Sequence, residues 1–180
     1  LKAIGEYDKE NPADLRQKHR DGFLGYISNG IENKRLHPDM GRKFNLEQLA
    51  DALAIERDEL FGYAGLDGIL NRYFMKDDKR QPVETPQYFF MRVAMGLSYH
   101  ENNPTEYAKK FYDKMSRHQY IAGGSTNLGA GTTRPALSNC YLMEIHDDMG
   151  HIAKSVSDVI LLSKGSGGIG ASITKLRATG

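Results

Sequence analysis

The sequence contains one cysteine, no tryptophan and almost no net charge, and these shortages exclude several classes of protein. Cys140 is the single cysteine among 180 residues, so the chain cannot form an internal disulfide or a metal site built from paired cysteines. The 24 Lys and Arg residues balance 23 Asp and Glu residues to a net charge of +1. That balance lacks the basic excess by which proteins attract nucleic acid or an anionic membrane surface.

Long apolar runs and a targeting signal are also missing. No stretch approaches the ~20 apolar residues that a helix needs to cross a bilayer, and the first residues contain no apolar signal-peptide segment. We therefore expect a globular cytoplasmic chain without a nucleic-acid or membrane partner. Because the sequence begins at Leu1 and stops at Gly180 without a polar tail, we also expect it to be a piece of a longer protein.

Glycine is distributed unevenly, and its distribution divides the chain. Residues 1–121 contain nine of the nineteen glycines, whereas residues 122–180 contain ten. The first part carries helix start signals, in which an Asn or Thr cap precedes the first turn. These signals lie at Asn11-Pro12, Asn45, Thr85-Pro86 and Asn103-Pro104. We predict a mainly helical N-terminal region over residues 1–121 and an α/β part over residues 122–180.

The predicted helices have apolar residues at helical spacing, which we expect to face the core. In the fourth helix these residues are Tyr107, Phe111 and Met115, at intervals of four. The helix that begins after Thr85 has one apolar side, which consists of Phe89, Phe90, Val93, Ala94 and Leu97. Packing against a core accounts for these aromatic side chains without a cofactor.

The pattern changes from helical to alternating in the second part of the chain. The predicted elements are a strand from Cys140 to Ile145, a turn at 146–148, a helix from Ile152 to about Ser163, a glycine-rich turn at 164–170 and a strand at 171–174. A strand, a helix and a second strand in this order indicate a parallel sheet or an α/β barrel.

Two glycine-rich segments are candidates for contact with a ligand, because glycine lets backbone amides approach an anionic or polar group closely. Segment 165–170 is not a phosphate-binding loop, since no Lys-Ser or Lys-Thr pair follows it, and a helix cap with a tight turn is the alternative. Segment 122–135 is too long for a simple hairpin and is poor in bulky side chains. It lines a pocket, lies against a crowded centre or forms a flexible loop.

Cys140 and the turn after its strand allow more than one interpretation. A lone cysteine in a strand is usually a small buried apolar side chain, and a redox function is the alternative. His146, Asp147 and Asp148 carry metal-ligating groups, but three adjacent residues on one turn rarely converge on one ion. We therefore interpret them as a solvated turn and predict no metal site.

Four longer motifs occur together in the chain. They are ETPQ with MRV at 84–93, GTTRPALSNC at 131–140, SKGSGGIG at 163–170 and LRATG at 176–180, preceded by FGYAG and LNRY within 61–73. In this order they resemble the large, catalytic subunit of class I ribonucleotide reductase, from about Asp58 to Gly180. The resemblance implies reduction of ribonucleoside diphosphates to deoxyribonucleotides by radical and dithiol chemistry. It also implies a helical region followed by the first βαβ part of a ten-stranded α/β barrel.

The resemblance implies roles for particular residues. Cys140 matches the first member of a redox-active cysteine pair, which is oxidised to a disulfide in each turnover and restored by thioredoxin or glutaredoxin. The substrate-binding positions match Gly124, Ser125, Asn139, Gly167 and Gly168, and Asn139 stands where the family usually has Ser. The site for a deoxynucleoside triphosphate effector matches Asp147 or Asp148, with Lys164 and Arg177.

The resemblance further implies partners, since one cysteine cannot complete a dithiol cycle. We expect no cofactor bound by this segment and a radical supplied by a metal-containing small subunit. The other expected partners are the remaining large-subunit polypeptide and a second large subunit in a dimer. By itself the chain is expected to be inactive. A non-catalytic module for effector binding or assembly is the alternative function, and a cobalamin-dependent relative of the enzyme is a third.

The open edges of the predicted parallel strands give a first testable prediction. Parallel strands need both faces covered and neighbours on both sides, so residues 122–180 alone should be poorly ordered or should oligomerise, while the helical part folds. Amide hydrogen exchange measures this. Slow, cooperative exchange across Cys140 to Ile145 in a purified monomer of that segment would contradict the prediction.

Overall fold

A computed structural model describes residues 12–165 and 167–178. The elements are α1 (Pro12–Glu32), α2 (Asp39–Arg42), α3 (Leu46–Asp51), a 3-10 helix (Ile55–Leu60), α4 (Tyr63–Arg72), α5 (Pro86–Ser98), α6 (Pro104–Ser116), α7 (Gly124–Gly129), β1 (Cys140–His146), α8 (Met149–Lys164) and β2 (Gly168–Lys175). A mainly helical part therefore precedes a strand–helix–strand unit. In the described part of the chain, no helix is long and apolar enough to span a membrane.

The predicted helix starts are confirmed where the structure describes their caps. The side-chain oxygens of Asn45, Thr85 and Asn103 each accept a hydrogen bond from the backbone N–H three residues later. Proline occupies the first helical turn in α5 and α6, where its missing N–H costs nothing. The proposed cap Asn11 lies outside the described residues. The division of the chain at 121/122 remains a prediction.

Helix α5 lies at the centre of the helical part. Its predicted core residues Phe89, Phe90, Val93 and Ala94 are buried and Leu97 is partly buried. Burial is not restricted to that one side, however, because twelve of the thirteen residues are buried. A side chain at Gly96 would place its Cβ 2.2 Å from the backbone nitrogen of Gly131. Glycine at this position therefore allows the segment after α7 to pack directly on α5.

The buried side of α6 also differs from the prediction. Its buried residues are Thr105, Ala108, Tyr112, Met115 and Ser116, whereas Tyr107 is exposed and Phe111 is only partly buried. The Tyr112 hydroxyl donates to Gln87 and accepts from the backbone N–H of Ala54. Because these partners satisfy its hydroxyl, Tyr112 takes the core position that the apolar pattern assigned to Phe111.

A buried ion pair connects α5 to α1 and α7. Arg92 and Glu84 have side chains that are 1% and 0% exposed, and their closest N–O distance is 2.6 Å. The Tyr26 hydroxyl of α1 donates to Glu84, and Arg92 donates to the carbonyls of Asn127 and Ala130 at 3.1 and 2.7 Å. Burial acts to lower the Arg92 pKa, but the carboxylate of Glu84 outweighs it and the pKa is raised. The Arg92 guanidinium therefore stays charged inside the core.

The strand–helix–strand prediction is confirmed, with different bounds. Strands β1 and β2 are parallel, with Cys140 opposite Gly168 and Leu142 opposite Gly170. The second strand begins at Gly168, so the glycine-rich turn is shorter than predicted, and its Ser166 lies outside the described residues. A Cβ at Gly170 would lie 2.9 Å from the Leu142 side chain. Gly170 therefore belongs to the pairing of β1 with β2, where the Leu142 side chain occupies the space that a Cβ would need.

The buried ion pair gives a stability prediction. Arg92→Met should lower the free energy of unfolding by about 3–5 kcal/mol, because it leaves the Glu84 carboxylate buried without a cation. Chemical denaturation followed by circular dichroism measures the change. Arg20→Met is a matched control, since Arg20 pairs at the surface with Asp51 and Glu47, and exposed pairs contribute little. Equal losses in the two variants would contradict the prediction.

Candidate functional site

The predicted substrate-binding positions meet around Asn139, the residue before β1. Its side-chain Oδ1 accepts a hydrogen bond from the backbone N–H of Ser125 at 2.7 Å. Its backbone carbonyl accepts from the N–H of Gly168 at 2.8 Å. Asn139 therefore holds together the start of α7, the start of β1 and the start of β2. We call this contact the Asn139 junction.

Glycines around Asn139 allow this close approach. A Cβ at Gly123 would lie 1.5 Å from the Asn139 Nδ2, and a Cβ at Gly167 would lie 2.3 Å from the ring of Tyr141. At Gly124, in contrast, the nearest atom to a Cβ is the Tyr73 hydroxyl oxygen at 3.6 Å, which is an ordinary contact. A side chain at Gly123 or Gly167 would thus displace the neighbouring side chain, whereas one at Gly124 would not.

Cys140 is a free and exposed cysteine at the first position of β1. The interpretation of this residue as a buried apolar side chain is therefore wrong in the described structure. Its strand partner is Gly168, which also donates to the Asn139 carbonyl. The thiol belongs to the residue directly after Asn139, and it is accessible for thiol–disulfide exchange.

Segment 122–135, predicted to line a pocket, to lie against a crowded centre or to form a flexible loop, contains the buried helix α7, which fits the second alternative. Ser125, Thr126, Asn127 and Gly129 of this helix are buried, which excludes a flexible loop at these positions. The Thr126 hydroxyl donates to the carbonyl of Leu137 at 3.0 Å, and a Cβ at Gly129 would lie 2.5 Å from the backbone nitrogen of Ala136. The stretch from Ala136 to Asn139 therefore runs along α7 and enters β1.

The predicted effector residues fall into two places. Asp147 and Arg177 form an ion pair of 2.8 Å at the carboxyl ends of β1 and β2. Asp148 next to them caps α8, since its Oδ1 accepts from the N–H of His151 at 2.8 Å. Lys164 is the last residue of α8, and a helix of this length separates it from Asp148 by roughly 20 Å. The structure brings Asp147, Asp148 and Arg177 together but not Lys164.

Two features near the site were missed by reasoning from the sequence. The sequence does not distinguish Gly123 from its neighbours, because the need for glycine there depends on Asn139, sixteen residues further along the chain. The ion pair of Glu84 and Arg92 lies within the first of the four motifs, and its spacing of eight residues does not reveal a contact. Within the described ranges, no group of three or more His, Cys, Asp or Glu side chains is arranged to hold a metal ion.

A cavity of about 750 Å³ lies elsewhere in the helical part, between α1, the 3-10 helix, α4 and the start of α5. Its lining includes the buried His19 and the partly buried Asp58. Burial lowers the pKa of His19 to about 4 and raises the pKa of Asp58 to about 6, although a hydrogen bond from Gln87 opposes the second shift. None of the predicted site residues lines this cavity, so it is separate from the Asn139 junction.

Comparison with known protein families matches two adjacent parts of the chain. Residues 59–135 match the family described as "Ribonucleotide reductase, all-alpha domain". Residues 138–180 match the one described as "Ribonucleotide reductase, barrel domain". The chain therefore belongs to the ribonucleotide reductase large-subunit family.

Individual relatives carry the name of one enzyme. The chain is 43% identical over 167 residues to the ribonucleoside-diphosphate reductase subunit alpha of Chlamydia muridarum, over 93% of this chain and 16% of that protein. It is 35% identical over 165 residues to the protein of the same name from Helicobacter pylori, over 88% and 21%. It is 34% identical over 138 residues to the ribonucleoside-diphosphate reductase large subunit of Caenorhabditis elegans, over 76% of this chain and 17% of that protein. The chain thus spans 16 to 21% of the length of these relatives.

The two neighbouring aspartates should differ in their effect on stability. Asp148→Ala removes the cap of α8 and should lower the free energy of unfolding by about 1 kcal/mol. Asp147→Ala removes only an exposed ion pair with Arg177 and should change stability little. Thermal unfolding of the two variants, side by side, measures the difference. A larger loss for Asp147→Ala would show that the ion pair, not the cap, holds this end of α8.

Proposed function

We propose that the chain supplies the helical region and the first barrel strands of a ribonucleoside-diphosphate reductase large subunit. The observation that carries the proposal is the exposed Cys140 thiol beside the Asn139 junction, within a chain that belongs to this family. The two parallel strands also support a larger sheet, because Leu142 is 90% and Ile173 63% exposed. Parallel strands normally have both faces covered, and a ten-stranded α/β barrel provides that cover.

The proposed reaction reduces the ribose of a ribonucleoside diphosphate at its 2′ carbon. The C2′–O bond breaks and the oxygen leaves as water, while a C2′–H bond forms. Two thiols supply the two electrons and two hydrogens and become a disulfide. Cys140 is one of these thiols, and the second comes from the remaining large-subunit polypeptide, since this chain has one cysteine. Thioredoxin or glutaredoxin then reduces the disulfide by exchange and is itself oxidised.

The residues around the thiol form the proposed substrate surface. It consists of Gly124, Ser125, Asn139, Gly167 and Gly168. A Cβ at Gly124 would lie no closer than 3.6 Å to the Tyr73 hydroxyl oxygen, so Tyr73 borders the proposed surface at the start of α7. The starting radical comes from a metal-containing small subunit. We place the reaction in the cytoplasm, where dithiol reductants are kept reduced.

The proposed effector is a deoxynucleoside triphosphate bound between two large subunits. Asp147 and Arg177 at the ends of the strands are accessible to it, whereas the Asp148 carboxylate is already engaged as a cap. Lys164 lies at the opposite end of α8. A dimer in which two α8 helices run antiparallel would bring Lys164 of one subunit towards Asp147 of the other.

A non-catalytic module for effector binding or assembly is the second candidate function. The observation that favours it is the exposed Asp147–Arg177 pair, which does not depend on the thiol. A binding module has no requirement for cysteine at position 140. The two functions are therefore distinguished by replacing that residue.

Cys140→Ser tests the catalytic proposal. Native mass spectrometry first identifies the large-subunit polypeptide that associates with the 20.2 kDa chain, and the complex is then combined with the small subunit. We expect Cys140→Ser to abolish thioredoxin-dependent formation of deoxyribonucleotide, because no disulfide forms, while effector binding by calorimetry is retained. Ser28→Ala, an exposed change on α1, is the control and should retain turnover.

Two results would overturn the catalytic proposal. The first is wild-type turnover in the Cys140→Ser complex. The second is a chain that binds effector but never associates with a cysteine-containing polypeptide. Either result would favour the non-catalytic module.

A further inference from the structure

Asn139 and Gly123 form a contact that accounts for both residues. We propose that Asn139 is a positioning residue, which fixes the Cys140 thiol by bonding the start of β1 to α7, and that Gly123 is glycine to admit its carboxamide. The inference deepens the proposed function, and its link to turnover rests on that function. The contact between Asn139 and Gly123 does not depend on the proposed function.

Asn139 is held on two sides, whereas the neighbouring thiol is not. Its Oδ1 accepts from the Ser125 N–H at 2.7 Å, and its backbone oxygen accepts from the Gly168 N–H at 2.8 Å. Cys140 is exposed. The orientation of the thiol therefore follows from the residue before it in the chain. Asn139 therefore acts on the thiol through the start of β1, in addition to its place in the proposed substrate surface.

The support beneath Asn139 is rigid. Arg92, which is buried, donates to the carbonyls of Asn127 and Ala130 at the other end of α7, and Glu84 holds Arg92 in turn. A hydrogen bond to a fixed partner restricts a side chain more than one to a mobile loop. The path from the core to the thiol thus consists of direct contacts, through α7 and Asn139.

The requirement for glycine at position 123 comes from space and not from backbone conformation. Gly123 has φ −63° and ψ 159°, an extended conformation that any residue adopts. A Cβ there would lie 1.5 Å from the Asn139 Nδ2, so alanine displaces the carboxamide. Gly62 caps α4 in nearly the same conformation, with φ −76° and ψ 157°, and a Cβ there meets nothing within 4 Å. Gly62→Ala is therefore a matched control.

A double-mutant cycle between positions 123 and 139 tests the contact. In the 180-residue chain, Gly123→Ala should speed hydrogen exchange of the Ser125 amide by about tenfold, the loss expected for one hydrogen bond. In the Asn139→Ala background the same change should have little further effect, because alanine has neither the Cγ nor the Nδ2 that a Gly123 Cβ would meet. Asn139→Asp, which keeps the accepting oxygen, should retain protection, and Gly62→Ala should not change it.

The turnover of the reconstituted complex tests the positioning role. Gly123→Ala should lower kcat with little change in KM, since misplacing a reacting group affects the chemical step more than binding. Asn139→Asp, which keeps the accepting oxygen, should retain more turnover than Asn139→Ala. A role in stability alone would shift the unfolding temperature without this split.

The outcomes separate this inference from the proposed function. Unchanged Ser125 exchange in Gly123→Ala overturns the contact, whether or not the complex is active. Altered exchange with normal kcat overturns the positioning role alone. If Gly123→Ala alters the exchange but even the wild-type complex never turns over, the proposed function and the positioning role are overturned together, while the contact stands.

Discussion

The ion pair between Glu84 and Arg92 is the constraint on which the described structure depends. Removing two charges from water is costly, and the cost is offset here by the hydrogen bonds that are directed at both charges. Tyr26 donates to Glu84 from α1, and the carbonyls of Asn127 and Ala130 receive Arg92 from α7. A shift of any of these elements would leave a buried charge without a partner. The pair therefore fixes their arrangement more strictly than apolar packing does.

Helix α7 transmits this constraint to the candidate site. It is too short to be stable alone, and its glycines and small side chains offer little apolar surface. It is held instead by Arg92 at its carboxyl end and by the stretch that leads into β1 along its side. Its first turn then presents the Ser125 N–H to Asn139. The buried charge and the exposed thiol are thus two ends of one continuous set of contacts.

Local signals in the sequence were sufficient to predict features that depend on residues close together in the chain, such as the helix starts. The caps Asn45, Thr85 and Asn103 bond three residues onward, so their helices could be located from the sequence. The core position of Tyr112 could not be predicted, because its hydroxyl donates to Gln87, which lies on another helix. The same holds for the site. Family motifs indicated Cys140 and the glycines, but the bond of Asn139 to Ser125 joins residues on two elements and required the fold.

The two parts of the chain differ in how completely they are buried, and this difference suits the proposed dithiol chemistry. The helical part surrounds α5 on all sides, so it provides a fixed support. The strands leave Leu142 and Ile173 exposed, so the environment of the thiol depends on polypeptide that covers the sheet. A thiol that exchanges with a second cysteine and with a separate reductant has to be reachable, yet it reacts efficiently only from a fixed position. Support from α7 on one side, with the thiol open on the other, satisfies both requirements.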